Sequence, residues 1–205
     1  MTFIRIRRAM AIVGSIAGVL FTLTLVDYLI QLRRSEGAVP PGTEAQIGGA
    51  FSLLDQSGTA VTEENYADRY KLIFFGFTHC PDVCPTTLSR VSTVLRDLGP
   101  LADRVYPLFI TVDPARDTPE RLREYAKSFD PRIVYLTGSA TDIERAMTTW
   151  RATRAKFAVG DADYSMSHSA VLYLMAPAGA LLKSYSWDTP IDEVTSSLKG
   201  YLAAP

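Results

Sequence analysis

A run of apolar and aromatic residues, KLIFFGF at Lys71–Phe77, sets the terms for any fold of this 205-residue chain. It has the length of one strand and no apolar/polar alternation, so it reads as a buried strand that neighbouring elements must cover. The segments around it supply that cover. After the run, Leu88, Val91, Leu95 and Leu98 recur at helical spacing and stop at Gly99 and Pro100. VYPLFITVD, Val105–Asp113, is a second buried strand, with Pro107 placing its start outside the central ladder. Thr118 and Pro119 open a helix carrying Leu122, Tyr125, Ala126 and Phe129 on one face.

RIVYLTG, Arg132–Gly138, is a third strand, and Ser139 with Asp142 forms a capping pattern for a helix bearing Ile143, Ala146, Met147 and Trp150. AVLYLMAPAGALLKSYSW reads as two strands joined by the turn APAG, and Thr189 and Pro190 start a last helix with Ile191, Val194, Leu198 and Leu202 on one side. Ahead of the first long strand, AFSLLDQSG is a short hairpin arm. Strands alternating with helices and closing in a hairpin and a helix predict an α/β fold. A mixed β-sheet flanked by helices follows, in the thioredoxin-like order, over residues 47–205.

The N-terminus is of another kind. MAIVGSIAGVLFTLTLV, Met10–Val26, carries no charge, and Asp27 is the only one before Ile30. That approaches the ~20 residues of a membrane-spanning helix. Arg5, Arg7 and Arg8 precede it, which by the positive-inside tendency keeps residues 1–8 in the cytoplasm. The expectation is one transmembrane helix at 9–30, uncleaved rather than a signal peptide. A Gly/Pro-rich tether follows at 31–46, with the folded domain outside the cytoplasm. Residues 1–34 hold five arginines and one aspartate, which leaves 16 basic against 21 acidic residues from Ser35 onward. Such a balance is not built to neutralise nucleic-acid phosphates.

The chain's two cysteines, Cys80 and Cys84, lie in FFGFTHCPDVCPTTL, between the first long strand and the next helix. Pro85 sets the start of that helix at its own position, or kinks it there. A helix N-terminus stabilises thiolates, so both sulfurs are expected to have lowered pKa values. Three readings compete. A disulfide closing so short a loop constrains the unfolded chain by about 2 kcal/mol or less, a poor reason for the bridge. A thiol–disulfide exchange pair normally has two intervening residues, and here there are three. A metal site would draw on soft thiolates, which suit Cu(I), with an imidazole as the third donor. His79 is adjacent to Cys80 and points the other way in an extended segment. His168, directly before the strand Ala170–Met175, is the better third donor.

These residues resemble a known family. GFTHCPDVCP is similar to the signature of the Sco (SenC) family, membrane-tethered thioredoxin-fold proteins that bind copper and help assemble the dinuclear copper centre of cytochrome c oxidase. GGAFSL, ITVDPARDTPERLREY and SHSAVLYLMAPAG resemble further family segments in the same order, over residues 47–203. The resemblance implies Cys80 and Cys84 as thiolate ligands, His168 as imidazole ligand, and Cu(I) as cargo with Cu(II) accessible. It also implies the copper-accepting subunit of cytochrome c oxidase as partner, alongside other copper chaperones or a thioredoxin-like reductant.

One departure concerns Ser167, where the family commonly has an acid, which bears on Cu(II) affinity and redox tuning. Asp113, Arg116 and Asp117 read as a turn held by an Arg–carboxylate pair, with a role at a docking face as the rival. The expectation is a metallochaperone rather than an enzyme, in a bacterial cytoplasmic membrane rather than a mitochondrial one, with its domain in the periplasm. A thiol–disulfide reductase using the same Cys80 and Cys84, or a redox or copper sensor, stands as the alternative.

Overall fold

In the computed structural model, which describes residues 47–159 and 163–203, the elements run in chain order. They are β1 (Ser52–Asp55), β2 (Ala60–Thr62), β3 (Tyr70–Gly76), α1 (Val83–Leu98), β4 (Val105–Thr111), α2 (Pro119–Ala126), β5 (Val134–Thr137), α3 (Ala140–Thr149), β6 (Arg154–Val159), β7 (Asp163–His168), β8 (Val171–Met175), β9 (Leu181–Ser186) and α4 (Ile191–Ala203). The expected helix at 9–30, with its flanks at 1–8 and 31–46, lies outside the described residues. Among the described residues no helix is long and apolar enough to cross a membrane.

The main sheet has the order β2-β1-β5-β4-β3-β8-β9. β3, β4 and β5 are parallel neighbours, while β1 and β8 join them antiparallel, so the sheet is mixed as expected. Every residue of β3 from Lys71 to Gly76 is buried. Successive strand residues point to opposite faces, so both faces of β3 are covered. That is why its sequence shows no alternation. Ile73, Phe75, Phe109 and Ile110 have no exposed surface. Each buried side chain of this size contributes about 1.5–3 kcal/mol of burial free energy. Lys71 is the exception in the run, and its ammonium donates to the carbonyls of Tyr66, Arg69 and Pro177.

Helix starts follow the expected chemistry. Thr118 caps α2 by accepting from the Arg121 N–H, and Ser139 caps α3 by accepting from the Asp142 N–H. α1 packs against α4, α2 lies against β5, and α3 touches β1.

Two expectations need correction. Pro107 lies inside the ladder with β3, opposite Leu72, rather than before it. It is tolerated because the β5 ladder begins only at Leu108, so Pro107 has one strand neighbour rather than two. α1 begins at Val83, two residues before Pro85. Pro85 then falls in the first turn, where no intrahelical partner exists for its missing N–H.

One element has no counterpart in the sequence reading. β6 and β7 form a separate two-stranded antiparallel sheet, paired from Arg154↔His168 to Val159↔Asp163. Expected in a loop before β8, His168 is instead the last residue of β7.

Candidate metal centre

Three parts of the fold deliver the three donors. Cys80 lies in the turn that leaves β3, closed by its N–H donating to the Phe77 carbonyl at 3.2 Å. Cys84 is the second residue of α1 and is fully buried. His168 comes from β7. One donor atom from each lies within 4.8 Å of the others, so the structure brings together the cysteine pair and a histidine 84 positions away.

The close approach of Cys84 to the sheet depends on Gly76. A Cβ there would stand 2.9 Å from Cys84 Sγ and 2.7 Å from the Phe109 ring. Both are closer than real carbon contacts permit, so glycine is what lets the sulfur settle over the end of β3.

The two sulfurs are not equivalent. Cys80 Sγ is half-buried and accepts the Cys84 backbone N–H at 3.4 Å, at the open N-terminus of α1. Hydrogen bonding from the Cys84 thiol, helped by His168 and this N–H, lowers the Cys80 pKa to about 3 against the opposing effect of burial. Cys84 moves the other way. Its bond to the Cys80 sulfur and its burial push its pKa up. The expectation that both thiols are acidified therefore holds for one. The two sulfurs share one proton, which stays on the buried member because ionising both would place two negative charges side by side.

His168 Nε2 lies 3.2 Å from Cys84 Sγ, and its Nδ1 lies 3.1 Å from the Ser169 carbonyl oxygen. A carbonyl can only accept, so Nδ1 donates to it, and Nε2 is the ring nitrogen turned toward the sulfurs. Metal-binding histidines are oriented in this way. The edges of the Phe74 and Phe77 rings confine the imidazole, with centroids 5.9 and 5.7 Å away. Two thiolate sulfurs and one imidazole nitrogen fit a soft metal such as Cu(I). They fall short of the four donors of a structural zinc site.

His79 is outside this cluster. Its Nδ1 lies 3.1 Å from Thr78 Oγ1 and 4.0 Å from an Asp117 carboxylate oxygen, and its side chain is 40% exposed. Ser167 is exposed and, one residue from His168 on a strand, faces away from the sulfurs.

The VDPARD turn does more than cap a helix. Arg116 pairs with Asp113 at 2.5 Å, as expected. Asp117 is fully buried and accepts from the Thr78 N–H, the Thr78 hydroxyl and the Thr111 hydroxyl. It thereby braces the turn that carries Cys80. Burial pushes its carboxyl above the usual carboxylate range, partly offset by these bonds. Sequence reasoning placed Asp117 only in the local turn, because its partner Thr78 is 39 positions away.

A thioredoxin-like sheet with a pair of free cysteines at one strand end and an imidazole set over them defines a soft-metal or dithiol protein of the thioredoxin class. Within that class the chain belongs to the SCO1/SenC family, whose model matches residues 39–203. A curated relative, Protein SCO1 homolog 1, mitochondrial, of Arabidopsis thaliana, is 38% identical over 160 residues, 78% of this chain and 48% of its own length. The chain thus spans about half the length of that relative. Among solved structures, Bradyrhizobium japonicum ScoI with copper bound is 44% identical, with a TM-score of 0.72, covering 76% of this chain and 99% of that one. BsSco, a member of the Sco family of cytochrome c oxidase assembly proteins in which a disulfide switch was identified, is 25% identical with a TM-score of 0.62, covering 82% and 99%.

Proposed function

We propose that this chain is a copper chaperone that holds Cu(I) on Cys80, Cys84 and His168 and passes it to the copper-accepting subunit of cytochrome c oxidase. The observation that carries this reading is the convergence of two sulfurs and an imidazole nitrogen within 4.8 Å, with Nε2 turned toward the sulfurs. Support comes from the copper held by the Bradyrhizobium ScoI and from the oxidase-assembly role of the BsSco family. Binding the ion takes the remaining thiol proton from Cys84, since a coordinating sulfur is deprotonated. Three donors leave the ion open to an incoming thiolate, so transfer proceeds by ligand exchange.

The uncharged stretch Met10–Val26 and the arginines before it favour an anchor at 9–30 in the cytoplasmic membrane. Residues 31–46 then form a tether, with the copper-binding domain of 47–205 in the periplasm.

A second reading, reduction of a disulfide in the acceptor, has one observation in its favour. Cys80 is a thiolate and Cys84 keeps a proton. Cys80 would attack one acceptor sulfur and release the other as a thiolate. Cys84, giving up its proton, would then attack Cys80, leaving an oxidised Cys80–Cys84 pair and a reduced acceptor dithiol.

The two readings part at His168. In the full chain extracted from membranes, His168→Ala is expected to weaken Cu(I) binding by at least 10-fold. Turnover of a disulfide substrate should stay within about 2-fold, because the bond from Cys84 contributes more than His168 to the acidity of Cys80. Unchanged Cu(I) affinity in this variant would remove the histidine from the site and favour the reductase. The mass of the N-terminus in the same preparation tests the anchor, which fails if the mature chain starts after residue 30.

A further inference from the structure

His168 belongs to a different sheet from the strand that leads into the sulfurs. Its strand pairs only with β6, and this two-stranded sheet shares no ladder with the main sheet. Its link to the main sheet runs through the chain that follows it, where the Ala170 carbonyl accepts the Trp187 N–H and β8 begins at Val171. Near the histidine, the Ser169 N–H donates to the Thr153 carbonyl, and Arg154, paired opposite His168, donates to the Val112 carbonyl of the body.

At the other end of β7 a second and denser set of ties runs to the body of the domain. The Tyr164 hydroxyl donates to Asp113 at 2.8 Å. Arg116 donates to the Tyr164 carbonyl at 2.9 Å and to Asp113 at 2.5 Å, and its guanidinium stacks 3.7 Å from the Tyr164 ring centroid. Asp113 itself is 2% exposed and lies two residues past the end of β4, so the knot is rooted in the core.

Tyr164 and His168 are four apart on one strand and share a face. About 13 Å of extended chain separates them. A strand pinned through its backbone carbonyl, ring and hydroxyl at one end presents the other end of the same face at a defined height. We propose that Arg116 and Tyr164 are positioning residues that set His168 over the sulfurs, acting through β7 without touching the metal. Asp113 is the fixed point they share.

The inference rests on the reading of His168 as a ligand, and the test separates the two. Cu(I) affinity of the full chain is measured by competition with bathocuproine disulfonate, for Tyr164→Phe and Arg116→Lys, each alone and combined with His168→Ala. Both substitutions are conservative. Phe removes one hydroxyl, while Lys keeps the charge and loses the paired donors and the stack. Groups that orient metal ligands typically govern about 10- to 100-fold in affinity. Arg116→Lys is expected to weaken Cu(I) binding about 10-fold and Tyr164→Phe about 3-fold, at the lower end because both act at a distance.

In the His168→Ala background both effects should vanish, as coupled residues do in a mutant cycle. X-ray absorption at the copper edge should show nitrogen lost in Arg116→Lys and sulfur retained. Equal weakening with and without His168 would mean a general structural role and overturn the inference. So would full affinity in both single variants alongside a loss in His168→Ala. No loss in His168→Ala itself would sink the ligand reading, and the inference with it.

Discussion

The main sheet and the β6–β7 hairpin each contribute donors to one site, but they are held by different kinds of force. The sulfurs sit on a turn and a helix start packed onto β3, a strand covered on both faces and hydrogen-bonded on both sides. The imidazole rides on a two-stranded ribbon whose residues Ala155–Val159 are all exposed. Side chains rather than ladders join that ribbon to the body, among them Arg116 to Tyr164 and Arg154 to the Val112 carbonyl. Two-stranded ribbons are marginal on their own, so the hairpin depends on such ties where the core does not. The fold thus separates a rigid dithiol from a third donor that can be tuned independently.

Substitutions on the two sides should differ in kind as well as size. Leu95→Ala, at a position of α1 with no exposed surface, should lower global stability by about 2–5 kcal/mol in chemical denaturation. A loss under 1 kcal/mol would mean that the helix carrying Cys84 is less firmly built in than its burial implies. Gly76→Ala should cost about 1–3 kcal/mol, because the new methyl meets Phe109, Phe74 and Cys84 Sγ. It should also disturb Cu(I) binding, since one of the displaced atoms is a donor; intact affinity would show that the sulfur position is softer than the packing suggests. Phe157→Ser, at a hairpin side chain 51% exposed, should change stability by no more than about 0.5 kcal/mol. A larger loss would reveal that the ribbon is part of the core's cooperative unit.

The same contrast explains what the sequence disclosed. Elements that bury a face announce themselves: β3, β4 and α1 through α4 follow from apolar runs, helical spacing and caps at Thr118 and Ser139. Both sulfurs were legible from their place between a buried strand and a helix, and His168 was singled out because a dithiol needs a third donor. The hairpin was not legible, because a ribbon with little buried surface has no apolar pattern to write. Its trace is only two short runs, RAKFAV and DYSMSH, around Gly160 and Asp161. The unequal acidity of the cysteines was hidden for a different reason. Spacing places both near a helix start, while burial and a shared proton, which depend on tertiary structure, decide which one ionises.

Cys84 has no surface at all, whereas Cys80 and His168 are each partly open. The site therefore has a front and a back. A ligand arriving from outside meets Cys80 and the imidazole before it meets the Cys84 sulfur, so whatever the three side chains hold would be open on one side and shielded on the other.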